Sequence, residues 1–193
     1  LGISCDFDLS YSTIDDNSRK ISQESFLELY KKNLIYKKEF PTIWCPECQT
    51  AIAQAELEDK ELQSFFLTLI FKCDDKDLLV ATTRPELLEA CVAMFVHSDD
   101  ARYKKLVGKK AKVPLFNHEV PIIADDSAQM EKGTGVLMIC SYGDRYDVEA
   151  IQRHNLKPNM IISRDGKIKE GRYKGLTIKE ARKKIVADLE DQK

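Results

Sequence analysis

Residues 64–91, SFFLTLIFKCDDKDLLVATTRPELLEAC, contain the pattern that decides the fold. Two runs within this stretch, 64–73 and 77–83, are rich in residues that favour β-structure. The charged segment 74–76 separates them and is short enough to form a turn. The stretch therefore predicts a β-hairpin.

The second run leads directly into a helix signal. Thr83 stands three residues before Glu86, with Pro85 between them, which is the pattern of a capping box with proline in the first turn. We therefore expect a short helix capped by Thr83. Three further helices are predicted from apolar residues at helical spacing and from capping residues: 22–36 with a Ser22 cap, 147–156, and the segment after the Thr177–Glu180 capping box, in which Ala181, Ile185 and Leu189 form one stripe.

The remaining apolar runs are short and strand-like. Strands are predicted at 92–96 and 135–140 and on both sides of turns at 117–118 and 165–166. Because short strands and helices do not alternate regularly, the pattern disfavours a doubly wound parallel sheet. It predicts an α+β fold with a β-barrel-like core and short helices packed outside.

A polar run, EDKELQ at 58–63, indicates a domain boundary. We expect a junction segment at 1–58, which holds the first helix and a CxxC knuckle, and a strand-rich domain at 59–193. The chain begins at Leu1 in what resembles mid-protein sequence, so it is expected to be a fragment of a longer polypeptide.

The composition limits the classes of function. The chain has 193 residues, 43% hydrophobic and 32% charged, with a net charge of -2. This balance gives no global basic field that would attract nucleic acid or a membrane surface. The apolar runs are too short to span a bilayer and the N-terminal residues lack a signal-peptide pattern. We therefore predict a soluble, cytoplasmic protein whose polynucleotide contacts, if any, are local.

Only two of the six cysteines stand at motif spacing. Cys45 and Cys48, in CPEC, match half of a zinc knuckle, and a structural zinc site normally needs four protein ligands. The chain has no second CxxC or CxxH, so the pair is interpreted as a half-site. The other four cysteines lie in apolar surroundings and are expected to be buried free thiols.

Residues 133–147, GTGVLMICSYGDRYD, combine a glycine-bounded strand with two acids. Gly133 and Gly135 allow the backbone to turn tightly or approach a ligand. For Asp144 and Asp147 two interpretations stay open: either caps the following helix, or the two form a paired-carboxylate site as in a glycosidase. No histidine lies in a recognisable Ser or Cys nucleophile motif, which argues against a Ser-His or Cys-His hydrolase.

The residues Thr82, Thr83 and Arg84 lie where a strand ends and a helix begins. Backbone N–H groups and a cation at such a position suit a carbonyl, carboxylate or phosphate oxygen. Thr83 as a simple helix cap is compatible with this interpretation, since a cap fixes the geometry that a ligand uses.

Five segments together resemble the connective-peptide editing domain of class I valyl-tRNA synthetases of archaeal type. They are WCPECQTAIAQAELE (44–58), ATTRPELLEACVAMFVHSDDARYKKLVGK (81–109), VPLFNHEVPIIAD (113–125), GTGVLMICSYGDRYD (133–147) and EGRYKGLTIKEARKKIV (170–186). The resemblance implies part of a valine–tRNA ligase with aminoacyl-tRNA hydrolase activity and an editing-domain barrel. An isoleucyl- or leucyl-type editing domain is the alternative within this family, and a noncatalytic zinc-knuckle module that binds RNA or protein is the alternative outside it.

The resemblance also implies roles for individual residues. Asp147 matches the acid that holds the α-ammonium of the aminoacyl ester, and Asp144 helps to define the polar end of the pocket. No protein nucleophile is implied, because an ordered water attacks the ester. Residues implied to contact the substrate are Thr82, Thr83, Arg84, Lys132, Gly133, Thr134, Gly135, Met138 and Cys140. Bacterial valyl enzymes carry lysine at the position of Met138 and phenylalanine at that of Lys132.

The implied substrate is threonyl-tRNA(Val). An apolar pocket rejects an added hydroxyl only weakly, and valyl-tRNA synthetase against threonine is the usual example. The implied partners are mischarged tRNA(Val) and the rest of the synthetase polypeptide, in a monomer that does not contact a membrane. No cofactor is expected in the fragment. In the full-length enzyme a second cysteine pair completes the site of Cys45 and Cys48 for zinc, and the absent catalytic body uses ATP and magnesium.

Overall fold

The computed structural model describes residues 2–61, 63–74 and 76–192. The chain divides into two compact units, Leu1–Phe40 and Pro41–Lys193. The predicted boundary at residue 58 separates a junction segment from a functional domain, which is a different division from that into compact units. The predicted boundary stays a prediction. Among the described residues, no helix is both long and apolar enough to cross a membrane.

The first unit contains helix α1, Asp16–Lys31. The predicted helix exists, but its predicted start at Ser22 is wrong. The Asp15 side chain accepts a hydrogen bond from the backbone N–H of Ser18 at 2.7 Å and caps the helix seven residues before Ser22. No residue of α1 is buried, and Phe26 on its predicted apolar face is 54% exposed.

The described residues of the second unit form eight strands and two α-helices. The strands are β1 (Trp44–Cys45), β2 (Thr50–Ala51), β3 (Leu67–Cys73), β4 (Lys76–Thr82), β5 (Cys91–Val96), β6 (Lys110–Lys112), β7 (Glu119–Ala124) and β8 (Val136–Cys140). The helices are α2 (Arg145–Arg153) and α3 (Ile178–Glu190), with 3-10 helices at Gln54–Glu56 and Pro85–Ala90.

Six strands form one sheet in the order β4-β3-β6-β7-β5-β8. All neighbouring pairs are antiparallel except β5 with β7. The two end strands, β4 and β8, contact each other, so the sheet nearly closes into a barrel. The predicted α+β, barrel-like fold is confirmed, and so is the hairpin of β3 and β4, which pairs from Leu67 with Thr82 to Cys73 with Lys76.

The segment after β4 differs from its prediction. It forms a 3-10 helix, Pro85–Ala90. The N-cap residue is Arg84, whose side chain makes no capping hydrogen bond. Instead of Thr83 capping the helix, the Thr82 hydroxyl accepts a hydrogen bond from the backbone N–H of Arg84 at 3.1 Å. The predicted capping box fails because the Glu86 side chain bonds to the guanidinium groups of Arg84 and Arg182 rather than to the backbone N–H of Thr83.

The core fills the barrel and extends under two helices. Its largest buried side chains include Phe71, Leu88 and Met94. Helix α3 begins at the predicted Thr177–Glu180 capping box. Its predicted stripe packs on the core, with Ala181 and Ile185 buried and Leu189 partly buried. A second cluster, formed by Ala93, Phe95, Ala128, Ile139, Ala150 and Ile151, lies beneath α2. These contacts fix α2 against the end of β8.

Candidate functional site

A cavity of about 450 Å³ opens where the end of β4, the 3-10 helix, β8 and the first turn of α2 meet. A cavity of this size accommodates a small organic ligand. The sequence had singled out eleven residues as catalytic or substrate-binding, and all except Thr134 line this cavity: Thr82, Thr83, Arg84, Lys132, Gly133, Gly135, Met138, Cys140, Asp144 and Asp147. Their functional roles stay predictions, but residues up to 65 positions apart in the chain share one cavity wall.

Asp147 is the buried acid of this cavity, with only 9% of its surface exposed. Its Oδ1 accepts a hydrogen bond from the backbone N–H of Cys140 at 3.0 Å. Its Oδ2 accepts no hydrogen bond from a described residue and lies against Gly143, where an added Cβ would be 2.3 Å away. Burial, supported by the negative charge of Asp144, raises the pKa of Asp147 to about 6.

Asp144 is the N-cap of α2. Its Oδ1 accepts a hydrogen bond from the backbone N–H of Asp147 at 2.9 Å. This geometry confirms the capping interpretation for Asp144 and accounts for one of its oxygens. It also disfavours the glycosidase alternative, because the two acids lie side by side on one helical turn rather than on opposite sides of a groove.

Arg84 crosses the cavity wall to the turn before α2. Its Nη1 donates a hydrogen bond to the carbonyl oxygen of Gly143, and its Nε donates to Glu86 Oε1 at 3.2 Å. The Glu86 side chain is 1% exposed, and Arg182 of α3 binds it through two hydrogen bonds of 2.8 and 2.7 Å. Burial acts to raise the pKa of Glu86, but the hydrogen bonds and charge of Arg182, together with hydrogen bonds from Arg84 and the backbone, lower it overall. Glu86 is therefore held as an anion between two cations.

Cys140 carries a thiol in the cavity wall, at the end of β8. The side chain of Cys91, which faces Cys140 across the strand pair β5 and β8, and burial together raise the pKa of this thiol well above its usual value. Because the thiolate is the nucleophilic form of cysteine, a thiol held protonated in this way is a poor nucleophile. The cavity therefore has the geometry of a binding and positioning site rather than of a cysteine hydrolase.

Three residues implied to contact the substrate have distinct positions. The Thr134 hydroxyl is buried and finds no hydrogen-bond partner among the described residues, while the Thr134 carbonyl accepts a bond from the Tyr103 hydroxyl at 2.7 Å. Lys132 is exposed, and Met138 is half-buried in β8 opposite Met94. Thr134 thus holds the loop before β8 through the hydrogen bond from Tyr103, whereas Lys132 and Met138 line the cavity.

Several cavity residues were not identified from the sequence. They are Phe66, Ala81, Leu87, Ser127, Gln129, Val136, Leu137, Ile139, Gly143 and Tyr146. Most belong to strands or loops, and only the closing of the sheet brings them beside the predicted site residues. Phe66 had a local signal, since it stands in the apolar run before β3, but that run was interpreted only as strand.

The CPEC knuckle forms the turn between β1 and β2. The backbone N–H of Cys48 donates to Cys45 Sγ at 3.4 Å, and such backbone bonds lower the pKa of the Cys45 thiol. This donor pair suits one face of a tetrahedral zinc ion. Among the described residues, no group of three or more His, Cys, Asp or Glu side chains could hold a metal ion. Cys45 and Cys48 supply two of the four ligands that a structural zinc site needs, and zinc binding by this pair stays a prediction.

The other cysteines match their prediction with one exception. Cys73, Cys91 and Cys140 are buried free thiols, whereas Cys5 is exposed, so the expectation of burial is wrong for that residue. Cys5 lies in the first unit, in a segment without a helix or strand to cover it.

Comparison with known proteins shows which family the chain resembles. Residues 1–170 match the family model described as tRNA synthetases class I (I, L, M and V). The chain is 48% identical over its whole length to a valine–tRNA ligase of Methanocaldococcus jannaschii and 50% identical over its whole length to one of Rickettsia rickettsii. It spans 22% and 24% of the length of these two relatives.

A solved chain described as GlLeuRS-CP1 superimposes with a TM-score of 0.49 and 14% identity, covering 60% of this chain and 81% of that one. The family-model match extends over most of the sequence, including the CPEC, TTRPE and GTG segments. The chain therefore belongs to the class I tRNA synthetase family.

Proposed function

We propose that this chain is the editing segment of a valine–tRNA ligase, and that its cavity hydrolyses the ester of mischarged tRNA. The observation that carries the proposal is the buried carboxylate of Asp147 in the cavity wall, whose Oδ2 lies against Gly143 while its Oδ1 is held by the backbone N–H of Cys140. A carboxylate fixed in this way suits the α-ammonium of an aminoacyl ester through a charge-assisted hydrogen bond.

The proposed reaction needs no covalent intermediate on the protein. A water molecule attacks the ester carbonyl carbon, and the bond between this carbon and the ribose oxygen breaks. The proton lost by the water goes to the ribose oxygen, so the products are the free amino acid and tRNA with a free terminal hydroxyl. Asp147 orients the amino acid, and Thr82 and Thr83 line the same wall near the ester. Rate enhancement then comes mostly from positioning.

The proposed substrate is threonyl-tRNA(Val), and the proposed partners are this tRNA and the rest of the ligase polypeptide. The high identity to valine–tRNA ligases supports this choice over an isoleucyl or leucyl enzyme. Threonine and valine have nearly the same shape, so a pocket that demands a hydroxyl rejects valine by leaving its own polar groups unpaired.

The test uses the full-length ligase that contains this chain. We expect Asp147→Ala to slow the hydrolysis of threonyl-tRNA(Val) by about 100-fold or more, because the ester loses its fixed orientation. Valine aminoacylation should be unchanged. Asp99→Ala, which removes an exposed acid outside the cavity, is the matched control. Hydrolysis by Asp147→Ala at the rate of the control variant would refute the proposal.

A further inference from the structure

Arg182 lies outside the cavity lining but is connected to it by hydrogen bonds. It stands on α3, next to Ala181, which packs on the core. Its Nε donates a hydrogen bond to Glu86 Oε2 at 2.8 Å, and its Nη2 donates to Glu86 Oε1 at 2.7 Å. A guanidinium that binds both oxygens of a carboxylate fixes the orientation of that carboxylate. Arg182 therefore determines how Glu86 is presented to its other neighbour, Arg84.

Glu86 binds Arg84 through an oxygen that Arg182 already holds. Arg84 Nε donates to Glu86 Oε1 at 3.2 Å. The Arg84 side chain is 42% exposed, and an arginine side chain loses much rotamer freedom when it is held in one position. With Glu86 as its fixed acceptor, Arg84 Nη1 donates to the carbonyl oxygen of Gly143. One series of hydrogen bonds thus connects α3 to the turn before α2.

Gly143 and Arg84 both act on Asp147. Gly143 lies against Asp147 Oδ2, since an added Cβ at this glycine would be 2.3 Å from that oxygen. Burial is the main influence on the pKa of Asp147 and raises it, and the charge of Asp144 raises it further, whereas the charge of Arg84 acts to lower it. If Arg84 swung away, the turn would lose a hydrogen bond and Asp147 would lose a neighbouring cation.

The titratable groups that influence Asp147 come from three places in the fold. Asp144 is the N-cap of its own helix, Cys140 ends β8, and Arg84 stands just before the 3-10 helix. The pKa of the Cys140 thiol is raised well above its usual value, so this group is neutral. Arg84 is the group among the three that brings positive charge. The other titratable side chains of the cavity wall are Lys132 and Tyr146.

The stability of the fold does not by itself account for the buried charge of Glu86. Removing a carboxylate from water is costly, and apolar residues of similar volume are often as stable as a buried ion pair or more stable. The two cations that hold Glu86 differ in position, because Arg84 lines the cavity and Arg182 does not. A charged group fixed between them is well placed to hold Arg84 at the cavity wall.

We propose that Arg182 is a positioning residue for the hydrolysis of mischarged tRNA. It fixes Glu86, and Glu86 in turn fixes Arg84. Arg84 thereby keeps its hydrogen bond to Gly143 and its positive charge beside Asp147. This inference rests on the proposed function and adds to it a residue outside the cavity, 35 positions after Asp147 in the chain.

The test measures hydrolysis of threonyl-tRNA(Val) by variants of the full-length ligase, over a pH range that spans the pKa of Asp147. Arg182→Met removes the guanidinium and keeps an unbranched stem. It should reduce kcat/KM at neutral pH about 10-fold, since Asp147 loses its fixed position. The apparent pKa of the kcat/KM profile should also move upward, because Asp147 loses a neighbouring cation. Lys183→Met, at the next, exposed position of α3, is the matched control and should behave as the unaltered enzyme.

A double variant tests whether Arg182 acts through Glu86. Glu86→Gln should itself reduce kcat/KM, and Arg182→Met should have little further effect in that background, because residues of one hydrogen-bonded series are not additive. All rates are measured below the lowest melting temperature of the set, and valine aminoacylation should be unchanged in every variant.

Three outcomes overturn the inference. The first is a kcat/KM for Arg182→Met equal to that of Lys183→Met. The second is a reduced kcat/KM with an unmoved apparent pKa, which would indicate a role in stability alone. The third is additive losses from Arg182→Met and Glu86→Gln, which would show that Arg182 does not act through Glu86.

Asp147→Ala, measured in the same experiment, separates the inference from the proposed function. Loss of hydrolysis in Asp147→Ala, together with identical kinetics of Arg182→Met and Lys183→Met, refutes the positioning role alone. Undiminished hydrolysis in Asp147→Ala refutes the editing function, and the positioning role with it.

Discussion

The carboxylate of Asp147 accepts a hydrogen bond from the backbone N–H of Cys140 at 3.0 Å, which joins the first turn of α2 to the last residue of β8. The two residues are seven positions apart and both are buried. This bond holds the acid at the cavity wall with its second oxygen against Gly143. A change in the protonation of Asp147 therefore affects both the charge of the cavity wall and the stability of the fold.

The first prediction concerns the pH dependence of hydrolysis. Burial raises the pKa of Asp147 to about 6, and the proposed function requires the ionised carboxylate to pair with the substrate ammonium. Hydrolysis of threonyl-tRNA(Val) should therefore rise with pH through an apparent pKa near 6. In Asp147→Asn the rate should be low and this step should disappear. A step of the same position and size in Asp147→Asn would show that another group titrates.

The second prediction concerns the free energy of unfolding, which substitution of Asp147 should increase and substitution of Asp144 should decrease. The folded-state pKa of Asp147 is raised from 3.8 to about 6, so the folded state retains a proton that the unfolded state loses. Stability is therefore lost as pH rises through this window. At pH 7, Asp147→Asn should increase the free energy of unfolding by ~1–3 kcal/mol.

Asp144→Ala provides the comparison for that experiment. It removes the N-cap of α2 and should decrease the free energy of unfolding by ~1 kcal/mol. Urea denaturation of both variants at pH 7 checks the pair of predictions. Destabilisation by Asp147→Asn would contradict the raised pKa, because Asn keeps an oxygen for the Cys140 N–H.

The third prediction concerns the Glu86 anion. Glu86→Gln should decrease the free energy of unfolding by ~1–3 kcal/mol, since it removes the charge shared by Arg84 and Arg182. The value is at the low end for a buried pair because both guanidinium groups remain near 40% exposed to water, at 42% and 43%. Glu149→Gln, in an exposed pair with Arg145, is the control and should cost about 0.5 kcal/mol or less.

Glu86 should also make the stability of the fold depend on pH in the acid range. Burial acts to raise the pKa of Glu86, but the hydrogen bonds of Arg182, Arg84 and the backbone and the charge of Arg182 together lower it. Its contribution is therefore present above the unfolded-state value of 4.5 and is lost as pH falls through the lower folded-state pKa. Acid titration of stability should show a smaller loss in Glu86→Gln than in the unaltered protein. Equal losses would mean that Glu86 is not ionised in the folded state.

The fourth prediction compares two glycines with nearly the same backbone. Gly135 has φ +81 and Gly108 has φ +84. A Cβ at Gly135 would lie 2.5 Å from Arg102 Nη2 and 3.0 Å from the Met130 carbonyl oxygen, whereas a Cβ at Gly108 would meet nothing within 4 Å. Gly108→Ala should cost about 1 kcal/mol of backbone strain. Gly135→Ala should cost about 1–3 kcal/mol more, through overpacking.

Thermal melting of both variants measures this difference. Gly135→Ala should also reduce hydrolysis, because the displaced Met130–Gly135 loop carries Lys132 and Gly133 of the cavity wall. Equal melting temperatures for the two variants would show that Arg102 moves aside without loss.

Features that depend on neighbouring residues could be predicted from the sequence. The hairpin of β3 and β4 follows from two β-rich runs and a short turn, and the Thr177–Glu180 capping box starts α3 as predicted. In both cases the residues that interact are close in the chain, so the local pattern contains the interaction. The choice of cap for α1 was less determined, since both Asp15 and Ser22 are good N-caps, and the structure uses the earlier one.

The cavity was predicted only in part, and for a related reason. The motifs TTRPE and GTG…D and their neighbours identified half of its lining residues, but not Phe66 or the other residues that the closing of the sheet brings to the cavity. The Glu86 side chain illustrates the limit. It has a local capping pattern with Thr83, yet it bonds to Arg182, which is 96 residues away.

Local spacing and composition predicted most of the secondary-structure pattern, and the resemblance to editing domains indicated the family and the residues around Asp147. The tertiary structure decided which strands pair, including the parallel pairing of β5 with β7, and which side chains become buried. Burial in turn decided the chemistry, since a carboxylate removed from water either gains a raised pKa, as in Asp147, or requires cations, as in Glu86.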